Sequence, residues 1–227
     1  MRRANSTATS VLFAIVLITT AFAMTPQEAF AQDPQPEDLP IGRYVADARV
    51  QFPKFKQDPA VSGALGVATD NLPTRGFGYA LGAHWYPLRI GVMTLGVGGE
   101  ISKAGRNKTK NTGTETAPVN VAVNTTFSAV SPQISFNFGA RDGWSYISGG
   151  LGWATLTTQL VEQPLPDPES GTKTINYGGG ARWFSRKHLA VTFDLRFYAV
   201  NPQLATATRP GYPRMTLMTM SGGISLR

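Results

Sequence analysis

The chain has no cysteine among its 227 residues and only two histidines. The first absence excludes disulfides and thiolate-held metals, and the second leaves no recognisable metal-ligand spacing. No metal and no cofactor are therefore expected. Charged residues are scarce at 15%, and the Lys and Arg behind the net charge of +7 are dispersed. Without a basic helix or an aromatic-basic motif, no nucleic-acid partner is expected. Long apolar runs are missing too. The one run, Val11 to Ala23, is shorter than the roughly 20 residues of a membrane-spanning helix. It follows Arg2 and Arg3 and precedes Ala29-Phe30-Ala31, a small-x-small cleavage pattern, with Ala21-Phe22-Ala23 as a second candidate. Residues 1–31 read as a cleaved export signal. Residues 32–41, rich in Pro and acids, read as a flexible leader on the periplasmic side of the export step, and 42–227 as one folded unit.

What the chain does have is alternation. Between Ile175 and Val200, one face carries Ile175, Tyr177, Gly179, Ala181 and Trp183, and the other Asn176, Gly178, Gly180, Arg182 and Phe184. After a polar break at Ser185-Arg186-Lys187-His188, Val191, Phe193, Leu195 and Phe197 oppose Thr192, Asp194, Arg196 and Tyr198. A period of two marks strands with unlike faces. Here one face is bulky and apolar, and the other is small or charged.

The same pattern recurs along the chain. Strand one runs from Arg43 until Pro53 stops it, and strand two from Phe77 to a break at Pro87. Strand three starts near Met93, strand four ends near Phe138, strand five holds Tyr146 to Trp153, and strand eight closes the chain. Lys103 to Ala122, full of Lys, Asn, Thr and Gly, reads as a solvated, mobile loop. The eight strands are joined by connections that alternate long and short. An up-and-down antiparallel barrel with long loops at one end and tight turns at the other produces that rhythm. Closing such a sheet leaves no unpaired edge.

The charged face decides which side is out. Arg43, Asp47, Arg49, Glu100, Arg182, Asp194 and Arg196 share it with Gly78, Gly82, Gly96, Gly98, Gly150, Gly152, Gly178 and Gly180. An eight-stranded barrel is narrow, and small residues interleaved with a few long ones fit its interior. The reverse placement would bury several Arg in an apolar shell, at several kcal/mol for each uncompensated charge. The apolar face therefore meets lipid, and about ten tilted residues span an apolar band of roughly 25 Å. Tyr44, Trp85, Trp153 and Trp183 stand near strand ends on this face and are expected to form an aromatic girdle. The fold class is an all-β, eight-stranded transmembrane barrel.

Three segments carry a resemblance. Gly82-Ala83-His84-Trp85-Tyr86-Pro87, Gly178-Gly179-Gly180-Ala181-Arg182-Trp183-Phe184 and Phe193-Asp194-Leu195-Arg196-Phe197-Tyr198 resemble the small outer-membrane barrels of the OmpA/OmpX type from Gram-negative-type bacteria. The resemblance covers Arg43 to Arg227. It implies an outer-membrane location, insertion by the barrel-assembly machinery and a structural or surface-interaction role. Such chains usually end in Phe or Trp, whereas this sequence ends Ser225-Leu226-Arg227, and an anchoring role through a peptidoglycan-binding domain of the OmpA type is not expected.

The inward charges allow two readings. They form a salt-bridge network that locks the lumen, or a charged constriction of a narrow channel, where four Arg against three acids would mildly favour anions. The first is expected, because eight strands leave a mostly filled lumen. Some barrels of this size modify lipid A with a His facing the outer leaflet. Here His84 and His188 fall at the short-turn end, as a girdle or turn His, so no Ser-His-acid set assembles among the long loops. No enzymatic activity is expected. Lys103, Arg106, Lys108 and Lys110 offer contacts to lipopolysaccharide phosphates, against simple solvation of the loop. The expected state is a monomer with lipid as its main partner.

Overall fold

A computed structural model describes residues 40–112, 119–163, 171–205 and 211–227. The expected export signal and nearly all of the expected leader lie outside the described residues. Eight strands follow in order: β1 Tyr44–Lys54, β2 Phe77–Ile90, β3 Met93–Asn111, β4 Asn120–Ala140, β5 Gly143–Leu160, β6 Thr172–Phe184, β7 Leu189–Val200 and β8 Met215–Leu226. Each pairs antiparallel with the next, and β8 returns to β1 through Ala48↔Ile224 and its neighbours. The sheet is a closed barrel. Along β1 exposed and buried positions alternate without a fault, as the sequence pattern requires.

Tight turns join β2 to β3, β4 to β5 and β6 to β7. At the first, Gly91 takes a φ of 57°, a left-handed value that a side chain would strain. Proline does not stop the strands. β1 runs one residue past Pro53, whose carbonyl accepts a bond from the Gly76 amide at 2.8 Å. β2 passes Pro87 by an irregularity in register between Trp85 and Leu88.

The segment 103–122 departs from its expectation as a mobile loop. β3 and β4 stay paired up to Asn111↔Asn120, so most of it is ladder rather than loop. Its polar composition reflects two wetted faces, while the backbone hydrogen bonds are those of any antiparallel pair. Beside it, the β1–β2 connection forms helix α1, Pro59–Ala64, capped by the Asp58 side chain on the Ala60 amide. Val61 of the helix packs with Leu72 and with Val123 of β4, above the barrel mouth.

The inward glycines divide by cause. At Gly96 a Cβ would stand 2.3 Å from Ser135 Oγ and 2.7 Å from the Tyr86 ring, so this glycine makes room for lumen side chains. At Gly78, Gly98, Gly150, Gly152, Gly178 and Gly180 a Cβ would lie within 2.2 Å of a carbonyl on the adjacent strand. Those six allow strands to close on one another around a tight barrel. Lumen volume alone does not explain them.

Candidate functional site: the closed lumen

The lumen is built in layers. At the short-turn end, Ile41, Val45, Tyr86, Trp144 and Tyr146 form a buried cluster backed by Phe184. At the long-loop end, Phe127, Ala129, Ala154, Leu156, Tyr198, Val200, Met215 and Leu217 form another, joined by Phe55 from the β1–β2 connection. Between them lie the charges.

Strand alternation aims six of the seven predicted charged residues into this middle layer. Arg182 grips Asp47 with two bonds, Nε to Oδ1 at 3.0 Å and Nη2 to Oδ2 at 2.6 Å. Such a fork is among the strongest polar contacts a protein makes. Ser225 Oγ also donates to Asp47, and the Arg182 guanidinium lies 4.2 Å from the centre of the Tyr146 ring. Arg49 pairs with Glu100 and, at 3.2 Å, with Asp194. Arg196 pairs with Asp194 at 3.0 Å and with Glu100 at 3.5 Å. Its remaining donors meet Asn176 Oδ1 at 3.1 Å and Ser148 Oγ at 3.0 Å. Tyr198 Oη donates to Glu100 at 2.6 Å, and Tyr146 Oη to Asp194 at 2.8 Å. All six charged side chains are buried.

Arg43 is the exception. It has the parity of an inward residue but precedes β1 at the barrel rim, where Val45 takes the last lumen position. Its side chain is exposed and enters no ion pair among the described residues. Three Arg then face three acids, and the net positive field expected from four Arg is absent. Sequence reasoning missed Tyr146, Tyr198, Asn176, Ser148 and Ser225 as partners. Their signal was present, since each shares the charged face with the residue it serves.

His84 also departs from its expectation as a girdle or turn residue. It points inward, buried, with its ring 6.5 Å from that of Tyr86. His188 is exposed in the β6–β7 turn, its Nδ1 2.9 Å from the carbonyl oxygen of Arg227. Neither His contacts a Ser–acid pair among the described hydrogen bonds. Among the described residues no group of three or more His, Cys, Asp or Glu is placed to hold a metal.

Outside, the bulky residues are exposed all round the barrel. Tyr44 and Trp85 are direct cross-strand partners near the short-turn end, and Trp183 lies beside the β6–β7 turn with its ring 6.1 Å from Phe193. Trp153 pairs with Lys173 towards the opposite end. An apolar exterior around a charged interior is the arrangement of a barrel that spans a membrane. Of the loop-end cations, Lys108 donates to the carbonyls of Asp70 and Leu72, and Lys110 pairs with Asp70. That contact holds the Asp70 carboxyl below its usual range. Both lysines thus tie the β3–β4 hairpin to the β1–β2 connection.

No family model and no curated protein matches this chain. Among solved structures, Ail, the attachment invasion locus protein of Yersinia pestis, in complex with the heparin analogue sucrose octasulfate, is similar at 11% identity. That alignment covers 82% of this chain and 99% of the other, with a TM-score of 0.48. Neisserial surface protein A is similar at 10% identity, over 81% and 96% of the two chains, with a TM-score of 0.47. The outer membrane protein OprG of Pseudomonas aeruginosa is similar at 7% identity, over 83% and 96%, with a TM-score of 0.46. These are likenesses of architecture and not of activity. The chain itself is a closed, eight-stranded, up-and-down transmembrane β-barrel.

Proposed function

We propose that this protein is a non-conducting barrel of the outer membrane with a structural or surface-interaction role. The observation that carries the reading is the charge-balanced network of Arg49, Arg182, Arg196, Asp47, Glu100 and Asp194, held between two apolar layers. A solute crossing the lumen would have to displace buried ion pairs and then the Phe127–Tyr198 and Tyr86–Trp144 aromatic contacts. The tall β3–β4–β5 sheet with α1 against it is the part that reaches beyond the bilayer. Residues 1–31 act as the export signal and 32–41 as a periplasmic leader. Tyr44, Trp85, Trp153 and Trp183 act as the girdle. The barrel-assembly machinery inserts the chain as a monomer, and its surroundings are membrane lipid and lipopolysaccharide. The reading includes no catalytic activity, and the inward, buried position of His84 supports that part.

Liposome swelling tests the closed lumen. Proteoliposomes placed in small sugars should swell no faster than protein-free liposomes. Swelling that scales with protein content and falls with solute size would instead support the narrow-channel alternative.

A further inference from the structure

The outward face of each strand ends in a particular way at the long-loop border of the apolar band. On β1 the outward series runs from Tyr44 to Phe52 and then reaches Lys54, ten positions after Tyr44. On the β2 side Arg75 stands ten positions before Trp85, and on β6 Lys173 stands ten before Trp183. On β3 Lys103 follows Ile101, ten positions after Met93, and Arg214 precedes the outward series of β8. Ten tilted residues span about 25 Å, the height of the apolar band. Five sites thus place a cation near one border of the apolar band, with aromatics at the opposite border on three of the same strands.

All five cations are exposed, and none is in an ion pair among the described residues. No Asp or Glu occupies an outward strand position among the described residues. Lys54 and Arg75 are moreover direct cross-strand partners. Like charges opposite one another are destabilising unless an anion sits between them. Lys103 lines a surface groove with Tyr79, Ile101, Val130 and Trp153, in which a cation meets aromatic and aliphatic walls. Charge above and apolar surface below match a lipid whose headgroup bears phosphate.

We infer that Lys54, Arg75, Lys103, Lys173 and Arg214 form a belt that binds a phosphorylated glycolipid of the outer leaflet, with the Lys54–Arg75 pair as its strongest phosphate site. The inference rests on the outer-membrane reading proposed above, with the long-loop end turned to the cell exterior and the short-turn end to the periplasm. The phosphate could come from a glycolipid or a phospholipid, and the long-loop end, facing the cell exterior, selects the glycolipid.

Native mass spectrometry of the full barrel in detergent, titrated with lipid A, dephosphorylated lipid A and phosphatidylglycerol, tests it. Phosphorylated lipid A should bind at least about tenfold more tightly than the dephosphorylated form. The Lys54→Ala/Arg75→Ala variant should lose that advantage, Lys54→Arg should keep it, and Arg89→Ala at the opposite border should leave it unchanged. Equal binding of the two lipid A forms, or an unchanged Lys54→Ala/Arg75→Ala variant, would overturn the belt. Equally tight phosphatidylglycerol would overturn the assignment to a glycolipid. Should the paired variant fail to fold, Lys103→Ala/Lys173→Ala carries the same expectation. A failed belt leaves liposome swelling unaffected, so the two readings fall separately.

Discussion

Arg196→Ala should lower the unfolding free energy of the barrel in lipid vesicles by about 3–5 kcal/mol. Arg196 is the hub of the middle layer, bonded to Asp194, Glu100, Asn176 and Ser148 at once. Its removal leaves two buried carboxylates with Arg49 as the shared partner and takes from Asn176 Oδ1 and Ser148 Oγ the guanidinium donor they accept from. Burial of a charge without its counter-ion is what makes the loss large. The pair itself, measured against apolar residues of the same shape, would contribute little. Tyr198→Phe supplies the graded comparison. It deletes one hydrogen bond to Glu100 and leaves every ion pair, so about 1.5–3 kcal/mol is expected from a bond to a charged acceptor. Urea titration followed by tryptophan fluorescence checks both. Equal losses for the two variants would mean that the network is not organised around Arg196.

Gly180→Ala should prevent the barrel from closing. A Cβ there would stand 2.1 Å from the Phe193 carbonyl oxygen on β7 and 2.7 Å from the Tyr146 hydroxyl. Backbone cannot yield as a flexible side chain does, so β6 and β7 would have to separate where Gly180 pairs with Asp194. That displacement would also disturb the Asp194–Arg196 pair. Gly222→Ala is the control. It faces outward, its Cβ would meet the Phe193 ring at 3.5 Å, and ordinary van der Waals contact results. Heat-dependent gel mobility separates the outcomes. Gly222→Ala should keep the shift between folded and heated samples, and Gly180→Ala should lose it. A full-strength shift for Gly180→Ala would show that the strand pair has slack.

The barrel was legible in the sequence because its two faces differ in chemistry at a period of two, and because long and short connections alternate. The same alternation located Asp47, Arg49, Glu100, Arg182, Asp194 and Arg196. It failed at Arg43, since parity fixes a direction but not whether a residue lies within the barrel wall. Composition misled at 103–122, where polar residues form a wet ladder rather than a loop. Proline misled at Pro53 and Pro87, because one lies next to a strand end and the other at a break in register. The glycines were recognised as inward and small. Their cross-strand reason required coordinates, since nothing in a sequence gives the distance from a Cβ to a neighbouring carbonyl. Helix α1 was hidden inside a connection whose Pro and Gly residues read as turns, although Asp58-Pro59 is a capping residue followed by a first-turn proline.

The lumen, finally, is either shut or open, and single-channel recording in planar bilayers reads this directly. The purified, heat-modifiable barrel should insert without current steps at either polarity. Arg196→Ala, in the fraction that folds, should admit brief openings as the network loosens. Steady conductance steps from the unaltered protein, proportional to salt concentration and insensitive to Arg196→Ala, would contradict a lumen closed by its ion pairs.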